Sequence, residues 1–299
     1  MVEYVIGLDL GGSSVKWLAA NRAGEALARG VVSFDADRPM QWAEEIRGAV
    51  AKITAEQPGA RVGIGLSAPG LAARDGRSIA YMPGRLAGLE NLVWQDFLDT
   101  KFAIPVLNDA HAALLGEAWI GAAVGCRNVV MLTLGTGVGG AAMVDGKLLV
   151  GNIGRAGHLG HVSLDPNGPV DVTNMPGSLE MAIGNCTIQQ RTHGRFQTTH
   201  ELIEAHRSGD GGATVIWDRS VRDLAFAIGS FINAFDPEVV IVGGGIAGAG
   251  EALFVPLERF LRPIEWQPGG HKVPVVAARL GEHAGSLGAA RRAWEVLSE

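Results

Sequence analysis

Apolar runs of β-branched residues and leucine alternate with glycine-marked turns along this chain. Tyr4 to Leu10 ends at Gly11-Gly12, and Val129 to Leu134 ends at Gly135-Thr136-Gly137. Each run is followed by another β-prone segment, Val15 to Ala20 and Val138 to Val144, so each reads as strand, tight turn, strand. The tetrad Asn21-Arg22-Ala23-Gly24 carries the first pair into a third strand, Glu25 to Phe34, and Asp145-Gly146 turns the second pair into Lys147 to Val150.

Asp37 and Pro39 then signal a helix start, and Trp42, Ile46, Ala49, Val50 and Ile53 recur at helical spacing until Pro58-Gly59. Strand Val62 to Leu66, the turn Ser67-Ala68-Pro69-Gly70, strand Ile104 to Leu107 and a helix Ala110 to Ile120 capped by Asn108-Asp109 follow. Strand, helix, strand is the parallel crossover unit of α/β proteins. In the second half the pattern predicts a helix Ala213 to Phe235, a strand Val239 to Val242 broken at Gly243-Gly244-Gly245, a strand Val273 to Ala277 and a closing helix Ala284 to Leu297.

The same plan therefore occurs twice, which predicts two similar α/β domains with a boundary near Gly116 to Gly125. We expect a small N-terminal domain of residues 1–118, with the C-terminal helix 286–299 packing back on it, and a larger domain of residues 119–285.

At 299 residues and 47% apolar composition the chain can bury a sizeable core. A net charge of −6 without any Lys/Arg run excludes nucleic-acid binding driven by phosphate neutralisation. Cys126 and Cys186 are too few for a disulfide framework, and each reads as a plain core or helix residue. There is no basic, apolar leader and no apolar segment near ~20 residues, so we expect a cytoplasmic protein with no membrane partner. The 43 glycines follow no fixed period and collect at strand ends. Glycine there lets backbone N–H groups approach an oxyanion closely, and two such turns suggest a clamp on a polyphosphate.

Seven motifs in order, from residue 5 to residue 290, resemble the ROK group of repressors and sugar kinases, within the actin-like ATPase superfamily that includes hexokinases. They are DLGGSSVK, GIGLSAPG, PVLNDA, LTLGTGVGG, GRAGHLGH, FDPEVVIVGGG and GEHAGSLGAA. The resemblance implies two actin-like (ribonuclease H-like) α/β domains with mixed sheets and an inter-domain cleft. It also implies an ATP- and Mg²⁺-dependent kinase acting on a small sugar, with homodimerisation as a family expectation.

By the resemblance, Gly11, Gly12, Ser13 and Lys16 would serve the phosphates, and Asp9 would orient hydrated Mg²⁺. Gly135, Thr136 and Gly137 would hold the phosphates from the other domain, and Gly244 and Gly245 would let adenosine lie on the backbone. Asp109 would be the general base, taking the proton of a sugar hydroxyl, usually at C6; a carboxylate at a helix N-terminus suits that role. Ser67, Gly70, Asn108, Gly139, His158, His161 and Glu180 fall at sugar-side positions.

The chain departs from the family pattern in three places. His158 stands where relatives carry a glutamate, exchanging a two-oxygen acceptor for one donor and one acceptor. The positions of three family zinc cysteines are Asp171, Thr173 and Ser178, a poor ligand set, so no zinc is expected and Glu180 must be supported by packing or hydrogen bonds. At Tyr81 to Leu86 the family's sugar-touching asparagine and leucine are not matched, and Arg85 reads as a surface residue. Two other readings stay open: a catalytically silent sugar sensor, and a kinase with polyphosphate as donor. The repressors' additional helix-turn-helix domain is not expected, since the first strand begins by Tyr4.

Overall fold

The computed structural model describes residues 2–298, which divide into two units. One runs to Val124 and takes in Val150–Ala156 and the segment from Arg279 on; the other comprises Gly125–Leu149 and Gly157–Ala278.

The first unit contains β1 (Glu3–Leu10), β2 (Ser14–Ala20), β3 (Ala26–Ser33), α1 (Gln41–Glu56), β4 (Ala60–Ala68), β5 (Leu71–Ala72), β6 (Ile79–Tyr81), α2 (Trp94–Phe97), β7 (Val106–Asn108) and α3 (Asp109–Ile120), with a closing helix at Ala284–Val296. Its sheet has the order β3-β2-β1-β4-β7, antiparallel from β3 to β1 and parallel from β1 to β7. Trp42, Ile46, Val50 and Ile53 of α1 are buried in the same core as Ile6, Leu8 and Leu66 of the sheet, matching their helical spacing. The closing helix packs backbone to backbone: a Cβ on Gly7 of β1 would fall 1.9 Å from the Ser286 carbonyl, and one on Gly288 would fall 1.6 Å from the Ala112 carbonyl. The buried carboxylate of Glu117 fastens this corner, accepting the N–H groups of Ala122, Arg279 and Leu280 at 2.7, 2.8 and 2.9 Å.

Two boundaries differ from the sequence reading. Helix α1 starts at Gln41 rather than at Asp37, because Asp35 accepts the Asp37 N–H in a local turn and Met40, in a left-handed conformation, leads into the helix. Strand β7 starts at Val106, since Pro105 has no N–H to donate and only its carbonyl joins the sheet, through Leu66 N–H at 2.9 Å.

The second unit contains β8 (Val129–Leu134), β9 (Val138–Val144), β10 (Lys147–Leu148), α4 (Leu179–Ile183), α5 (Ile188–Arg191), α6 (Thr199–Arg207), α7 (Gly211–Phe235), β11 (Val239–Gly243), α8 (Glu251–Leu261) and β12 (Val275–Ala277). Its sheet, β10-β9-β8-β11-β12, repeats the first unit's order: antiparallel on one side of the leading strand, parallel on the other. The buried stripe of α7, from Trp217 through Leu224 and Ile228, packs in the core with β8 and β11. Helix α8, not foreseen from periodicity, contains Pro256. A proline there cannot donate to the Ala252 carbonyl, and Trp217 Nε1 takes that acceptor at 2.8 Å. Among the described residues no helix is long and apolar enough to cross a membrane.

Candidate active site

In the first unit, strand register brings three motif residues together. Antiparallel β2 sets Lys16 opposite Asp9, and parallel β4 sets Ser67 opposite it. Ser67 Oγ donates to Asp9 Oδ1 at 2.6 Å. Burial pushes the Asp9 carboxyl up to about 6; the Ser67 hydrogen bond opposes this, the Asp109 charge adds to it, and Lys16 lowers it again. Lys16 itself is paired with Glu282, Nζ to Oε2 at 3.3 Å. Gly11, Gly12 and Ser13 form the exposed turn between β1 and β2, closed by Gly11 N–H on the Ser14 carbonyl at 2.8 Å.

Asn108 works as the cap of α3. Its Oδ1 accepts Ala110 N–H at 3.0 Å, and its Nδ2 donates to the Gly70 carbonyl at 2.9 Å, tying the Ser67–Gly70 turn to the helix start. Asp109, the first residue of α3, is exposed, and its Oδ1 also lies 2.8 Å from Ala110 N. Its carboxylate therefore sits at the positive end of a helix of 12 residues. A carboxylate on a rigid helix start, near enough to Asp9 to raise that carboxyl's pKa, can accept a proton from a hydroxyl.

In the second unit, the turn Gly135–Gly137 is pinned from α4 onward. Asn185 N–H donates to the Gly135 carbonyl at 3.0 Å and Cys186 N–H to the Thr136 carbonyl at 2.7 Å. Glu180, buried in the first turn of α4, accepts Val138 N–H at 2.9 Å. A Cβ on Gly137 would fall 2.3 Å from that same carboxylate oxygen, so glycine is required there by the glutamate. Gly139 is the next-but-one residue, on β9. His158 precedes a single 3-10 turn, Leu159–His161, that lies against the start of β9.

His161 Nδ1 is 2.8 Å from Asp171 Oδ2. The other Asp171 oxygen accepts Thr173 N–H at 2.8 Å, Thr173 Oγ1 at 2.7 Å and Met175 N–H at 3.1 Å. Burial would raise this carboxyl, yet hydrogen bonds from Thr173, His161 and Ser178 outweigh it and hold the group far below the usual carboxylate range. The three positions that replace the family cysteines thus form one hydrogen-bonded set around a buried carboxylate, and that set braces His161.

Gly244 and Gly245 follow β11. A cavity of about 410 Å³ opens beside them, lined by Gly135, Thr136, Asn185, Thr199, Arg207 and Gly245 among others. Asn185, in the 3-10 turn Asn185–Thr187, was not singled out from the sequence, nor were Thr199 and Arg207, because periodicity did not reveal α6. A local signal was present: Thr198 caps Glu201 N–H while the Glu201 carboxylate accepts Gln197 N–H, a close variant of the capping box. Of the two cysteines, expected as core or helix residues, Cys126 lies in neither. Cys126 is half-buried in a loop and Cys186 is exposed in a short 3-10 turn, where its backbone, not its thiol, is what the second glycine turn uses.

The chain matches the ROK family over residues 5–295. It is 33% identical over 306 residues to the glucokinase of Thermotoga maritima, covering 96% of each protein. Among solved structures it is similar to the ROK hexokinase of Thermus thermophilus, with a TM-score of 0.85, 31% identity and 99% of each chain covered. It is also similar to a ROK family glucokinase from Streptomyces griseus in complex with glucose and AMPPNP, with a TM-score of 0.77, 26% identity, and 98% and 99% coverage of the two chains. The fold is accordingly the α/β fold of two actin-like domains with mixed sheets. The chain belongs to the ROK family.

Proposed function

We propose that this protein, a carbohydrate kinase, transfers the γ-phosphate of ATP to the C6 hydroxyl of a hexose or hexose derivative, with Asp109 as general base. The observation that carries this reading is the placement of exposed Asp109 at the start of α3, in the same unit as Asp9 and the Gly11–Ser13 turn. The hydroxyl oxygen bonds to the γ-phosphorus as its proton passes to the Asp109 carboxylate. The bond from that phosphorus to the β,γ-bridging oxygen breaks, and ADP leaves with the electron pair. Such a transfer needs alignment and charge stabilisation more than covalent help.

The residues present fit Mg²⁺ as a phosphate-borne ion. Asp9 offers a hard carboxylate whose ionisation is resisted by burial and by Asp109, a state that a neighbouring cation relieves. No group of three or more metal-ligating side chains occurs among the described residues, so Asp9 would hold the ion together with water and phosphate oxygens. When bound, Mg²⁺ supplies charge neutralisation on the phosphates.

The 410 Å³ cavity beside Gly245 suits a nucleoside, with the Gly135–Gly137 turn at its edge for phosphate. On the acceptor side, Asp171 draws the Nδ1 proton of His161, which leaves Nε2 of the neutral ring as an acceptor for a sugar hydroxyl. Glu180 is held by Val138 N–H in a position to accept another, and His158 in place of glutamate makes the hydroxyl pattern it reads different from that of glucose-reading relatives.

A coupled ADP-release screen over hexoses, amino sugars, ketoses and deoxy sugars, followed by ³¹P NMR of the product, tests the proposal. ADP release that depends on one sugar class, with phosphate on C6, is the expected result. Binding of ATP without turnover on any sugar would support a sensor, and turnover with polyphosphate but not ATP would reassign the donor.

A further inference from the structure

The segment between β6 and α2 is a short loop built to hold a fixed shape. Met82 N–H donates to Glu90 Oε1 at 2.6 Å, Leu89 N–H to the Leu86 carbonyl at 3.0 Å, and Asn91 N–H to the Ile79 carbonyl at 2.8 Å. Leu86 and Leu89 are both buried in the core of the first unit, and Leu86 is held at a φ of 52°. A left-handed leucine costs roughly 1 kcal/mol, and this one is kept there by its two-sided anchorage.

What this loop presents is Arg85. The residue is exposed, yet its guanidinium lies on the first glycine turn: a Cβ built on Gly12 would sit 2.8 Å from an Arg85 Nη atom. Among the described residues Arg85 makes no ion pair or hydrogen bond. The guanidinium thus lies beside the exposed Gly11–Ser13 turn, and its planar fork matches phosphate oxygens.

We infer that Arg85 is a catalytic residue that contacts the transferred phosphoryl group. The inference rests on the kinase reading above and assigns a residue in the segment where the chain departs from the family pattern. As the acceptor oxygen bonds to phosphorus and the bond to ADP breaks, charge spreads over the three remaining oxygens of that group. Arg85 donates hydrogen bonds to those oxygens and exchanges no proton; the hydroxyl proton goes to Asp109. Since ADP lacks the transferred group, the contact is felt by ATP and the transition state and not by the product nucleotide.

The test compares wild type with R85A and R85K in the full-length protein, with matching thermal midpoints as the control for folding. Measurements are kcat, KM for ATP and for sugar, and binding of ADP, of ADP with aluminium fluoride plus sugar, and of inorganic tripolyphosphate. R85A should lower kcat by roughly 10- to 100-fold and weaken the fluoride complex to a similar degree, with ADP affinity unchanged and partial recovery in R85K. Unchanged kcat, or a defect confined to KM for sugar, overturns the inference; the latter would place Arg85 on the acceptor. If wild type phosphorylates no sugar, the kinase reading is at fault, and tripolyphosphate still decides for Arg85: weaker binding by R85A supports the contact and equal binding refutes it.

Discussion

Nδ1 of His161 lies 2.8 Å from Oδ2 of Asp171, a carboxylate with no exposed side-chain surface. The carboxylate's other oxygen is saturated by Thr173 and Met175, so the imidazole is held by a group that cannot itself rotate. Removing the carboxylate would free both the ring and the 171–175 turn.

D171A should therefore lower stability by about 3 kcal/mol, because it strands several buried donors at once. D171N keeps the shape but reverses the preferred proton position on His161, so it should raise KM for sugar more than it lowers kcat. The pH dependence follows from the direction of the shift. The folded-state pKa of Asp171 lies below its unfolded value of ~3.9, so its stabilisation is complete above that value and is lost as pH falls towards the folded value. Urea midpoints between pH 3 and 7 should show an acid-side decline in wild type that is shallower in D171N.

Asp9 titrates in the opposite sense. Its folded pKa of about 6 exceeds the unfolded ~3.9, so the native state binds the extra proton between these values. Its contribution to stability is full below ~4, falls as pH rises through this window, and is constant above about 6. D9N should flatten that slope while reducing turnover at least 100-fold, the scale of a lost phosphate-side charge contact. In wild type, kcat/KM for ATP should decline below about pH 6, where the Asp9 carboxyl is protonated. A wild-type profile flat to pH 5 would remove Asp9 from the phosphate machinery.

The cavity beside β11 gives a prediction free of folding effects. A Cβ on Gly245 meets nothing within 4 Å, and Gly245 lines the cavity. G245L should fold with an unchanged thermal midpoint and raise KM for ATP by roughly 10-fold or more, about 1.4 kcal/mol, without moving KM for sugar. Isothermal titration with ATP checks this, and equal affinity in G245L would take the nucleoside out of this cavity.

Much of the architecture was legible because glycine turns and apolar runs punctuate it. Strands β1, β2, β4, β8, β9 and β11 and helices α3 and α7 lie where the pattern placed them. Helix α8 was hidden by its interior Pro256, and a tertiary acceptor, Trp217 bonded to the Ala252 carbonyl, makes that proline tolerable. Motif order singled out Asp9 and Asp109 in the first unit and His161 and Glu180 in the second, but the groups that hold them come from strand register and long loops. Ser67 on Asp9 follows from β1–β4 pairing, and the Arg85 contact with Gly12 joins positions far apart in sequence. No local pattern carries such contacts.

The central claim is that Asp109 takes the acceptor proton, and turnover of D109N tests it most directly. Steady-state kinetics on the preferred sugar, with ATP binding measured alongside, should show kcat reduced about 10³-fold and ATP affinity within a factor of ~3 of wild type. Retention of kcat within tenfold of wild type would contradict the account and leave Asp109 as no more than the first residue of α3.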